Sequence, residues 1–147
     1  MRHSRLCLIA AAVALLISCS GPKTPDAAAV EASASARILA IPSATPEKYR
    51  SLAAKKTWQN PYLIIRADGV ALLDPDDHLE RILKPEELTR TLGDLPASSW
   101  PYGRVVAVTE NGAKGSADDE VRIRENRAVV AGTLETLHVL INWIPSA

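Results

Sequence analysis

Phenylalanine is absent from this chain of 147 residues, which holds only three tryptophans, three tyrosines and one methionine. Burial of large rings therefore falls chiefly to Trp58, Trp100 and Trp143, and core packing is the expected role of each. Cysteine is scarce as well: Cys7 lies in an apolar run near the start, and Cys19 is the only other. A domain after Cys19 can thus contain no internal disulfide, zinc–thiolate cluster or thiol nucleophile, and must hold together by packing. Neither sign of charge dominates, with 17 basic and 17 acidic residues. The basic stripe that displaces counterions from phosphates is missing, and no nucleic-acid partner is expected. Long apolar runs are missing too, because residues 6–17 fall short of the roughly 20 that a helix needs to cross a hydrocarbon core.

What residues 6–17 do offer is an uncharged apolar stretch behind Arg2 and Arg5 and ahead of small Ser18, the pattern of a secretory signal. The run Leu16-Ile17-Ser18-Cys19 resembles the lipobox of bacterial lipoproteins, which is cut before the cysteine. That resemblance implies a covalent lipid at Cys19, no other cofactor, and a protein anchored in the cell envelope on its periplasmic or extracellular side. Ser20 after the cysteine, in place of aspartate, resembles the outer-membrane sorting of Gram-negative lipoproteins. Loss of residues 1–18 would leave 129 residues with 15 basic and 17 acidic side chains, enough for one domain.

Residues 19–46 are rich in Ala, Ser and Pro and show no sustained amphipathic period, so they read as a lipidated start and tether. As a flexible coil such a tether would reach about 25–30 Å. The domain is then expected over residues 47–147, opening on a short helix at Thr45-Pro46-Glu47. The apolar runs on either side of Asp68-Gly69 predict a β-hairpin, with its two-residue turn at that pair. Because both faces of the first strand are apolar, it belongs inside the sheet. Leu88, Leu92 and Leu95 predict an amphipathic helix between Pro85 and Pro96, ended near Gly93. Residues 104–109 read as a buried strand and 139–144 as a last strand. Between them, Ser116 with Asp119 forms a capping pattern for a helix carrying Ile123, Val130, Leu134 and Leu137. The alternation Val121-Arg122-Ile123-Arg124 also permits a strand there. The expected class is α+β, a small four-stranded sheet with two helices on one face in the order strand, strand, helix, strand, helix, strand.

That order, with Ile64-Ile65-Arg66-Ala67-Asp68-Gly69-Val70 and the ending from Val129-Val130-Ala131-Gly132 to Leu140-Ile141-Asn142, resembles the periplasmic domain of the ExbD/TolR biopolymer-transport family. Ile38-Leu39-Ala40-Ile41-Pro42 is similar to the segment leading into that domain. The resemblance implies a domain that self-associates or engages envelope proteins. It does not imply energy transduction, because residues 6–17 hold no acidic residue of the kind that couples protons in the family's membrane helix.

Candidate chemistry is sparse. Asp74, Asp76, Asp77 and His78 form the densest ligand-type cluster and could hold a cation, although the run lacks calcium-loop spacing and reads first as an acidic turn. After the signal only His78 and His138 remain as imidazoles, without a Gly-x-Ser-x-Gly elbow, and His138 falls where a helix should end. Arg122, Arg124 and Arg127, near Lys114, could form a basic patch, but Asp118, Asp119, Glu120 and Glu125 interleave with them. Trp100 and Tyr102 occupy a loop and are candidate anchors for a protein contact. The sequence thus points to a non-enzymatic lipoprotein with a partner-binding domain; its rivals are a cation- or ligand-binding module and an unrecognised hydrolase.

Overall fold

The computed structural model describes residues 26–52, 57–73, 79–111 and 115–145. The expected signal and lipobox, and the acidic run at 74–78, lie outside the described residues. The class is α+β, with three α-helices and a five-stranded mixed sheet among the described residues. Strands β1 (Tyr62–Arg66), β2 (Gly69–Leu73), β3 (Glu80–Leu83), β4 (Val105–Glu110) and β5 (Leu140–Trp143) are arranged in the order β3-β2-β1-β4-β5. Helices α1 (Ala27–Leu39), α2 (Leu88–Asp94) and α3 (Ala117–Thr136) complete the domain.

Four strands and two helices were expected, and both numbers are corrected. The additional strand is β3, a polar four-residue strand at the sheet edge, where only Leu83 is buried. The additional helix is α1, within the segment expected to be tether. Asp26 caps it by accepting from the Ala28 amide, and Ala34 and Ile38, four residues apart, bury one narrow stripe. An Ala-rich helix of this length is marginal alone, so docking is what stabilises it. It sits on α2, where Gly93 lies inside the helix rather than ending it: a Cβ there would meet the Ala34 carbonyl oxygen at 2.7 Å. The domain therefore includes residues N-terminal to 47.

The hairpin register pairs Arg66 with Gly69, so Ala67 and Asp68 form the two-residue turn, one position earlier than expected. Gly69 is needed nonetheless. Its φ is +145°, and an added Cβ would lie 2.6 Å from the Leu83 carbonyl oxygen of β3.

β1 pairs antiparallel with β2 and β2 with β3, whereas β1–β4 and β4–β5 are parallel. The passages from β3 to β4 through α2 and from β4 to β5 through α3 both progress in the same direction across the sheet. Right-handed crossovers then put both helices on one face. That face is filled by Leu63, Ile65, Val70, Leu72, Val106 and Val108 under Ile38, Leu88, Leu92, Ile123, Val130 and Leu134. Residues 121–124 are helical, and the strand alternative is set aside. The expected cap at Ser116 is present: its hydroxyl accepts from the Asp119 amide, and the Asp119 carboxylate accepts from the Ser116 amide. The Ser116 amide and the Ser116 hydroxyl, both donating to the Asp119 carboxylate, hold it below its ordinary value.

The opposite face is closed by connecting segments. Tyr49, Trp58 and Tyr102 pack ring against ring over Tyr62, Ile64 and Ala107. Buried Asn60 ties this layer together, donating to the carbonyl oxygens of Gly103 at 2.8 Å and Val105 at 2.7 Å and accepting from the Tyr102 amide at 2.9 Å.

Candidate interaction surface

β5 begins where α3 stops. His138 takes a left-handed conformation, φ 53°, and its amide donates to the Glu135 carbonyl oxygen, which turns the chain back toward the sheet at the position where a helix end was expected. Val139 is buried beneath the turn, and among the described residues Leu140–Trp143 then pairs with β4 alone. The Leu140 amide donates to the Arg104 carbonyl oxygen at 3.0 Å and the Ile144 amide to that of Val108 at 2.8 Å. Since alternate residues of a strand bond to opposite sides, Ile141 and Trp143 direct their backbone groups to the open edge.

The edge carries no charge in Leu140-Ile141-Asn142-Trp143. Leu140 is 53% exposed and Trp143 41% exposed. Trp143 thus departs from its expected core role: it pairs with Val108 at the outer end of β4, and the Arg127 guanidinium lies over its ring, 4.5 Å from the centroid. Arg127 also pairs with Glu110 at 2.8 Å. An exposed ring, a hydrophobic leucine and a row of open backbone groups can accept an extended peptide as a further strand.

The residues expected at a partner site are dispersed. Trp100 and Tyr102 are buried, the first in the helix-side core and the second in the aromatic layer, so neither ring is presented at the surface. The Trp-Pro-Tyr loop is folded inward because each ring fills a different face of the same sheet. Arg124 donates to the Glu120 carbonyl oxygen within its own helix, Arg122 is exposed, and Arg127 is committed to Glu110 and Trp143, so the three do not converge on one anion site. Only Arg127 contributes to the surface around β5. Cys19, Asp74, Asp76, Asp77 and His78 lie outside the described residues, among which no cluster of three His, Cys, Asp or Glu side chains could hold a metal ion. Among the described residues no helix is long and apolar enough to cross a membrane.

Sequence reasoning missed β5 as a site because residues 139–144 read only as a last strand. The available signal was its lack of charge beside the charged residues of Glu80–Leu83. Comparison with family models, curated proteins and solved structures finds no significant match for this chain.

Proposed function

We propose that this protein is a non-enzymatic cell-envelope lipoprotein, held by lipid at Cys19, whose domain binds an envelope protein or a second copy through the open edge of β5. The single observation that carries the binding surface is an uncharged, unpaired edge strand exposing Leu140 and Trp143. Charge and proline, which guard many edge strands, are both missing from Leu140–Trp143, and an edge without them can serve as a template for another chain. The lipobox supports the location, and the resemblance to the periplasmic domain of the ExbD/TolR family supports a partner-binding role without proton coupling.

The test pairs location with contact. Fatty-acid labelling in cells should mark the wild type and not Cys19→Ala. Cross-linking in cells, with the joined peptides mapped by mass spectrometry, should place Leu140–Trp143 against the captured protein. Leu140→Lys adds a charge at an exposed position and should abolish that cross-link while leaving the melting temperature unchanged. Equal capture by a folded Leu140→Lys variant removes the edge from the proposal.

A further inference from the structure

The docking of α1 brings the anchor close to the domain. Ala34 and Ile38 are buried, and Arg37 donates to the Gly93 carbonyl oxygen at 2.7 Å and pairs with Asp94 at 2.7 Å. The helix belongs to the domain from its cap at Asp26, and seven Cα–Cα steps separate that residue from Cys19. Fully extended, those steps span about 25 Å, and as a flexible coil about 15 Å.

The fold also determines which end the anchor enters. The first turns of α1 line a cleft with Glu86, Glu87 and Arg90, at the start of α2. α2 follows β3, whose last residue, Leu83, pairs with Val70 beside the hairpin turn. Ile65 pairs with both Val70 and Glu110, and Val108 pairs with Trp143. The N-terminus of α1, the hairpin turn and the C-terminal ends of β1, β4 and β5 therefore share one end of the sheet. Trp143 is the exposed tryptophan there. Trp58 and Trp100 are buried and precede β1 and β4, at the opposite end.

We propose that this end of the sheet faces the lipid surface, with the Trp143 ring as its interfacial contact, while Leu140 and the backbone edge of β5 stay open to the protein partner. The inference rests on the reading that Cys19 carries the lipid. Tryptophan suits the position because its ring occupies the boundary between headgroups and hydrocarbon. Arg66, Asp68, Glu110 and Arg127 bring both signs of charge to the same end, so the contact does not require anionic lipid.

The full chain carrying Cys7→Ser, coupled through Cys19 to a maleimide phospholipid in phosphatidylcholine vesicles, isolates this geometry from the question of cellular lipidation. Brominated phosphatidylcholine should quench tryptophan fluorescence, and Trp143→Tyr should remove that quenching while circular dichroism is unchanged. Insertion of twenty Gly/Ser residues after Ser20 should weaken it. Absence of quenching, or quenching that persists in a folded Trp143→Tyr variant, overturns the contact; quenching indifferent to the insertion overturns the role given to the short connection. Failure of fatty-acid labelling at Cys19 would instead overturn the lipoprotein reading, whatever the vesicles report.

Discussion

The helix-covered face of the sheet is closed by aliphatic side chains from three helices, whereas the opposite face is closed by three aromatic rings and one buried amide from connecting segments. Aliphatic packing is non-directional, and its stabilisation is spread over many side chains. The aromatic face has less redundancy. Three backbone groups in the 102–105 turn bond to the single side chain of Asn60. The two faces should accordingly fail in different ways.

Asn60→Ala should have the largest effect, a loss of about 3–5 kcal/mol, because it removes the Asn60 bonds to the Val105 carbonyl oxygen and the Tyr102 amide and leaves the Gly103 carbonyl oxygen only the Val105 amide. Urea unfolding measures the loss. A cost near that of a surface substitution would mean that the aromatic rings hold the layer without the amide. On the helix face, Leu134→Ala should cost about 2–4 kcal/mol through lost burial and a residual cavity, with an unchanged unfolding slope. If it exceeds Asn60→Ala, the ranking of the faces is reversed.

Gly93→Ala sharpens the comparison within the helix face, since the added methyl would press on the backbone of Ala34. The expected cost is about 1–3 kcal/mol, and hydrogen exchange should quicken over Ala27–Leu39 before it does in the sheet. Uniform quickening would make α1 as integral as α2 and α3. The smallest effect is pH-dependent and belongs to the aromatic face. Burial raises Tyr62 above its ordinary value of 10.0, with a hydrogen bond to Thr109 opposing the shift. The unfolded chain therefore loses this proton first as alkalinity increases. Stability should be level below pH 10 and fall above it, and Tyr62→Leu should flatten that decline in melts taken across the range.

The central hairpin and the parallel strand beside it were readable in the sequence because Tyr62–Arg66 and Val105–Glu110 are nearly continuous apolar runs bounded by turn residues. The start of α3 was readable for a local reason, the reciprocal bonds of Ser116 and Asp119. α1 escaped notice because two buried residues in thirteen leave no broad apolar face. β3 escaped because an edge strand with Glu80 and Arg81 has the composition of a loop. The hairpin turn was displaced by one residue: Gly69 is required by its approach to β3, a contact remote from the turn itself. The candidate site was less readable than the fold. Trp100 and Trp143 look alike as isolated aromatics, yet one is 4% exposed and the other forms part of an open edge.

By itself the sequence determined the α+β class, the strands around the centre and the α3 cap, since each follows from composition or from interactions a few residues apart. Only the tertiary structure decided that α1 joins the domain, that β3 and β5 are the edges, and which tryptophan is left exposed. Those outcomes depend on which elements meet across long stretches of chain, and the same short apolar segment is core or surface according to whether a neighbour covers it.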